Sequence, residues 1–230
     1  MPRFLDVGRR LLLSTSRKVL YSTLRHHEHL RELNELQAAA AVARGAVDRH
    51  ILLVRDPYNR LISAWSSKFV KDPVNKHRPG SNKPWQPIHR MILPHLGVRS
   101  GAGDDEIRDA LTAVTFERLV HLLDRVHRQD GHLTPQWRLL RVRPWDRLPL
   151  FAVSVDEVVR MERPDLADYC AGFGLQLKTI HRNPSRHGTA EELYTPELAA
   201  VVERIYARDF ELFGYGRLEL RAAAAAASSS

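Results

Sequence analysis

The sequence predicts a single α/β domain, and three observations carry that expectation. Ile51, Leu52, Leu53 and Val54 form a short unbroken apolar run with β-branched members, as in a strand buried on both faces. Arg55 and Asp56 end the run, and Pro57 stands where a first helical residue needs no N–H. Leu61, Ile62, Trp65 and Phe69 then recur at helical spacing. Finally, 230 residues with 43% hydrophobic content suffice for one such domain with a substantial core. Ligands of open α/β sheets bind outside the carboxyl ends of the strands. Arg55 at that end, Ser63 eight residues later and a helix N-terminus together make a phosphate site.

The other elements follow in chain order. Residues 9–15 predict a first strand and residues 19–33 a helix. Between them, Ser16-Arg17-Lys18-Val19-Leu20-Tyr21-Ser22-Thr23-Leu24 is a basic loop opening a helix, with a lysine, hydroxyls and backbone N–H groups to offer phosphate oxygens. His26-His27-Glu28-His29 lacks the H-E-x-x-H spacing and any cysteine or histidine partner set, so a solvated helix face is expected and no metal. Residues 38–46 are a small-residue helical stretch that Gly45 ends or loosens. Residues 71–103 hold five prolines, Trp85 and several basic side chains. Such a segment either covers a site, with Trp85 touching an acidic or sugar acceptor, or is a surface insertion.

Helix returns over residues 104–128, with Thr115 as the cap of the part beginning at Phe116. His132 follows in a loop bounded by Gly131 and Pro135, where it suits a general base, an acceptor ligand or a loop-ordering role. Residues 148–153 read as another buried strand and 164–173 as a helix. Thr195 caps a last helix with Pro196 at its first position, and Gly214 stops it. Residues 1–220 make up the domain, while 221–230 are a low-complexity tail expected to be disordered. No internal repeat is present.

Net charge +8 and a pI near 10.0 point to an anionic partner. The excess is scattered arginine without the aromatic interleaving of a nucleic-acid module, so no nucleic acid is expected. The lone Cys170 excludes an intrachain disulfide and is expected in the core. No run reaches membrane-spanning length, and Leu11, Leu12 and Leu13 are too few for a signal peptide, so a cytoplasmic protein is expected. A G-x-x-x-x-G-K-S/T loop is absent, which disfavours an ATP- or GTP-hydrolysing enzyme.

Arg55-Asp56-Pro57-x-x-Arg60-x-x-Ser63 followed by Lys68-Phe69 resembles the 3′-phosphate motif of sulfotransferases, with the chondroitin and dermatan carbohydrate sulfotransferases (sulfotransferase family 2) the most similar. The 16–24 segment is similar to that family's 5′-phosphosulfate loop, commonly Pro-Lys-Val-Gly-Ser-Thr-Ser-Leu. Lys18 falls on its lysine, Ser22 and Thr23 on its hydroxyls; Arg17, Leu20 and Tyr21 depart from its proline, glycine and small polar residue. Asp130-x-His132-x-x-Pro135-Gln136, His181-Arg182-Asn183-Pro184-Ser185 and Tyr206-x-x-Asp209-x-x-x-Phe213-x-Tyr215 extend the resemblance over residues 11–215.

The resemblance implies a P-loop-like fold, a mostly parallel central sheet with helices on both faces. It implies sulfuryl transfer from 3′-phosphoadenosine 5′-phosphosulfate (PAPS) to a hydroxyl of a carbohydrate-type acceptor, without a metal. It assigns catalysis to His132 and Lys18, and donor binding to Lys18, Ser22, Thr23, Arg55 and Ser63. Two other classes stay open: a catalytically inactive nucleotide-binding relative, which the altered 5′ loop favours, and a basic nucleic-acid-binding protein, which only the charge favours.

Overall fold

The computed structural model describes residues 2–70, 85–142, 151–152, 154–177 and 188–220. Among them the chain runs β1 (Arg3–Asp6), β2 (Leu11–Thr15), α1 (Tyr21–Arg25), β3 (Leu30–Leu33), α2 (Glu35–Ala43), β4 (Arg49–Val54), α3 (Pro57–Trp65), α4 (Pro87–Ile92), α5 (Asp104–Thr112), α6 (Phe116–Val126), β5 (Arg141–Val142), β6 (Phe151–Ala152), β7 (Glu157–Arg160), α7 (Leu166–Ala171), α8 (Ala190–Leu193), α9 (Pro196–Ile205) and α10 (Ala207–Phe213). The main sheet has the order β3-β1-β2-β4-β7; β5 and β6 pair separately.

β2, β4 and β7 are parallel neighbours, with Leu13 opposite Ile51 and Leu53 opposite Val159. β1 runs antiparallel to both β2 and β3. The sheet is therefore mixed, and the expectation of a mostly parallel one holds only for its β2-β4-β7 half. Side chains alternate across it as period two requires. Leu11, Leu13, Ile51, Leu53 and Val159 pack on one face with Leu24 of α1 and Leu166 and Cys170 of α7. On the other face Leu12 packs with Ala38 of α2, and Leu52 and Val54 pack with Leu139 and Phe213. Both faces are covered, which is why β2 and β4 carry nearly continuous apolar sequence. A separate helical core forms around Tyr58, Leu61, Leu119 and Val202.

Several expectations need correction. The strand predicted at 9–15 is the second in the chain, preceded by β1. The helix predicted over 19–33 is one turn, α1, followed by β3. His26 ends that turn, its ring nitrogen Nδ1 lying 2.6 Å from the Ser22 carbonyl. Leu30–Leu33 then pairs with the open edge of β1, and tertiary pairing overrides the local helical pattern. The 104–128 helix is two, broken at residues 113–115, with Thr115 Oγ1 accepting the Arg118 N–H at 3.1 Å. Within 148–153 the described strand is only Phe151–Ala152, and the 164–173 helix contracts to Leu166–Ala171. Trp85 is not a surface contact: it is 7% exposed and its Nε1–H donates to Asp104 at 3.1 Å. The loop His181–His187, residues 71–84 of the proline-rich stretch and the 221–230 tail lie outside the described residues.

One polar line runs through the sheet. Arg3, fully buried, donates to Ser14 Oγ at 2.7 Å and to the Leu139 carbonyl at 3.0 Å. Ser14 donates to His50 Nε2 at 2.7 Å, and His50 Nδ1–H donates to the Ser154 carbonyl at 2.8 Å. That chain of donors requires a neutral His50, and burial pushes its pKa down to about 4.

Candidate active site

The site is built where β2 and β4 end side by side. After β2 the chain turns through residues 16–20, Thr15 Oγ1 donating to the Val19 carbonyl at 2.5 Å and Val19 N–H to the Ser16 carbonyl at 3.2 Å. The turn needs left-handed backbone at two non-glycine residues, Lys18 (φ 75°) and Leu20 (φ 51°). Leu20 stands where the family loop has glycine and keeps a glycine-like conformation, at a cost of about 1–2 kcal/mol. α1 is a single turn, so the anion-binding potential here rests on side chains and loop N–H groups more than on a helix dipole.

Arg55 follows β4. Its Nη1 donates to the Lys18 carbonyl at 3.3 Å, which joins the two loops. Burial lowers its pKa, without removing the charge of a guanidinium. Its main chain is clipped on both sides by one amide: Arg55 N–H donates to Gln136 Oε1 at 3.0 Å, and Gln136 Nε2 donates to the Arg55 carbonyl at 2.7 Å. Ser16 Oγ also donates to Gln136 Oε1, at 3.2 Å. Buried Asp209 of α10 in turn accepts the Gln136 and Trp137 N–H groups at 2.8 and 2.7 Å.

Asp56 caps α3 through the Asn59 N–H at 2.8 Å. Burial pushes its pKa up to about 6, helped by nearby Glu162 and opposed by the Asn59 hydrogen bonds. Ser63 is half-buried on α3, and Ser22 and Thr23 lie on α1. None of these three hydroxyls hydrogen-bonds another described residue, Arg55 included.

His132 comes to this place from the loop after α6 and is 6% exposed. One Asp130 oxygen accepts both its backbone N–H, at 2.7 Å, and its Nδ1–H, at 2.6 Å. That fixes the tautomer and leaves the Nε2 lone pair without a partner among the described residues. Arg60 holds the loop from beneath: 1% exposed, it donates to the His132 carbonyl at 3.2 Å and to the Thr134 carbonyl at 2.9 Å. Burial drives the His132 pKa down to about 4 against the opposing pull of Asp130, with Lys68 and Arg17 reinforcing the fall. Arg17 lies against the same loop: a methyl group on Gly131 would touch its Nε at 3.6 Å. Lys68 is held by Gln86, and His89 Nε2–H donates to the Lys68 carbonyl at 2.8 Å.

Lys18, Arg55 and His132 thus come to the same end of the sheet, while Ser22 and Thr23 lie on α1 and Ser63 on α3 with no hydrogen bond to Arg55. Sequence reasoning gave no role to Arg60, Asp130, Gln136 or Asp209. Asp130 and Gln136 had a signal in the Asp-x-His-x-x-Pro-Gln spacing; the Gln136 bond to Arg55 spans 81 positions and had none.

The buried groups set a pH dependence. His50, His89 and His132 all sit near 4 in the folded chain, each mainly through burial. Unfolded, they take up protons near 6.5, so their stabilisation is full above that value and is lost as pH falls toward 4. From pH 7.5 to 5 each should cost about 2 kcal/mol. Raised Asp56 works the other way, returning about 1 kcal/mol over the same range. The unfolding free energy from urea titrations should therefore be several kcal/mol lower at pH 5; equal values at the two pH settings would refute neutral buried histidines.

A model described as the Sulfotransferase family matches residues 13–145, more than half of the chain and all of the loop 16–20, Arg55, Ser63 and His132. No curated protein and no solved structure matches the chain.

Proposed function

The chain belongs to the sulfotransferase family, and from that premise we propose that it transfers a sulfuryl group from PAPS to a hydroxyl of a carbohydrate-type acceptor, as a cytoplasmic enzyme nearest in its motifs to the chondroitin and dermatan branch. The observation that carries the reading is the Arg55–Lys18 contact, which brings the two phosphate-type loops together at the carboxyl ends of adjacent parallel strands. The domain is taken as residues 1–220. No described helix is long and apolar enough to cross a membrane.

The residues present fit the donor. Lys18 and Arg55 supply cations at the ends of adjacent parallel strands, and the hydroxyls of Ser22, Thr23 and Ser63 hydrogen-bond no described residue. When bound, PAPS supplies a sulfuryl group on an activated phosphosulfate linkage. Arg55 and Ser63 would hold its 3′-phosphate, Ser22 and Thr23 its 5′-phosphate. The Lys18 ammonium would stabilise negative charge on the leaving side. His132, neutral at pH 7 and with Nε2 unbonded among the described residues, would take the acceptor proton. Asp130, 2.6 Å from Nδ1, would stabilise the imidazolium as it forms. Proton removal, orientation and charge stabilisation all come from this chain's own side chains.

A nucleotide-binding relative without activity is the second reading, favoured by Arg17, Leu20 and Tyr21; the retained left-handed turn at Leu20 weighs against it. Calorimetry tests the nucleotide reading. Adenosine 3′,5′-bisphosphate should bind about ten- to a hundredfold more tightly than 5′-AMP, the value of a charge-assisted phosphate contact. Equal affinities would remove the 3′-phosphate site.

A further inference from the structure

A cleft of about 490 Å³ opens beside the reacting end of the site, lined among others by Arg17, Tyr21, Glu32, Asn34 and Gly131. Its size is within the range of small-molecule sites, roughly 300–1,000 Å³. Arg17 directly precedes Lys18, and Gly131 directly precedes His132. The cleft therefore borders both the loop assigned to the donor and the loop carrying the free imidazole nitrogen.

Its lining is mixed in charge. Tyr21 presents a half-buried ring, with the Arg17 guanidinium 5.8 Å from its centroid. The Tyr21 hydroxyl donates to Glu32 Oε1 at 3.3 Å. Glu32 also faces Arg25 at 3.9 Å, and its carboxylate remains partly exposed. Asn34 uses Oδ1 to cap α2, accepting the Gln37 N–H at 2.9 Å, which leaves its amide N–H groups for a ligand.

An anionic ligand would meet Glu32 here, and a cationic one Arg17. A planar phenol would find apolar wall at Pro2, Leu33 and the Tyr21 ring but would leave the guanidinium, carboxylate and amide largely unmatched. A neutral polyol satisfies all of them: its hydroxyls donate to Glu32 and accept from Arg17 and Asn34, while its C–H face lies on the Tyr21 ring. Resting on the sulfotransferase reading above, we infer that this cleft is the acceptor subsite, that it takes an uncharged sugar unit, and that Tyr21 and Glu32 set that specificity. Tyr21, a departure from the family loop, is then a contact to the acceptor rather than a loss of function.

The full chain loaded with adenosine 3′,5′-bisphosphate is examined by saturation-transfer NMR with cellobiose, lactose, a uronate-containing disaccharide and p-nitrophenol. Wild type should contact the neutral disaccharides in preference to the other two probes. Glu32→Lys, at an exposed position, should weaken that contact by about tenfold or more, with nucleotide affinity and melting temperature unchanged. Tyr21→Ala should weaken it as well, while Tyr21→Phe should keep most of it. Neutral-sugar contact that is absent, or equal in wild type and Glu32→Lys, overturns the inference, as does preference for the uronate or the phenol. If the nucleotide itself fails to bind, the sulfotransferase reading falls, and the sugar arm on the unloaded protein still decides the cleft.

Discussion

Replacing His132 by alanine is expected to lower single-turnover sulfuryl transfer by about 10²–10⁴-fold, the range for a positioned base, and to leave nucleotide affinity unchanged. The separation follows from geometry. In the proposed arrangement the phosphate contacts fall to Lys18, Arg55 and the hydroxyls, whereas no hydrogen bond joins His132 Nε2 to any of them. The wild-type rate should also hold from neutrality down to about pH 5 and fall as pH drops through about 4, where burial has placed the imidazole. Labelled-sulfate transfer to a glycan panel across pH reads both. Undiminished transfer by the variant would take His132 out of the chemistry, and a fall centred near 6.5 would mean that the ring is not buried as described.

Arg55→Ala should weaken adenosine 3′,5′-bisphosphate by about ten- to a hundredfold, with Ser63→Ala losing less because a hydroxyl is neutral and makes one bond. The fold should survive. Gln136 grips the Arg55 main chain whatever its side chain, and among the described residues the guanidinium makes only a long 3.3 Å bond. Arg60 provides the contrast. It is the other arginine of the same motif, yet it is buried and holds two carbonyls beneath the His132 loop. Arg60→Ala should cost about 3 kcal/mol or more in stability. Melting curves beside nucleotide titrations separate the two roles; Arg55→Ala unfolding like Arg60→Ala would make Arg55 structural.

The part of the fold that carries the site was legible because it is local. β4, the Asp56 cap, Pro57 and α3 follow one another within 17 residues, and each has its own signature in apolar period or turn chemistry. β1 was not legible. Arg3 opens a four-residue strand with a charge, and Ser14 and the Leu139 carbonyl, both distant in sequence, help to make its burial tolerable. β3 went unread with it, since an edge strand exists only once its neighbour does. Lys18, Arg55 and His132 could be named from motifs, but what orients them could not. Arg60 stood in the same motif with no role assigned to it, and its burial beneath the His132 loop is a tertiary fact. Trp85 looked like a surface aromatic because Asp104, its partner, lies in a different helix.

The Gln136 clip decides when the site can exist at all. One amide oxygen receives Ser16 and the Arg55 main chain, and Asp209, near the end of the fold, fixes the backbone from which that amide projects. The loops after β2 and β4 are thereby made to wait for α10. On a ribosome, a nascent chain that has emerged through Gln136 already holds Lys18, Arg55, Ser63 and His132, yet it lacks Asp209 to anchor Gln136. Binding competence should arrive in one step with the last helix rather than accumulate, so a truncation before α10 would keep every motif and lose the crevice.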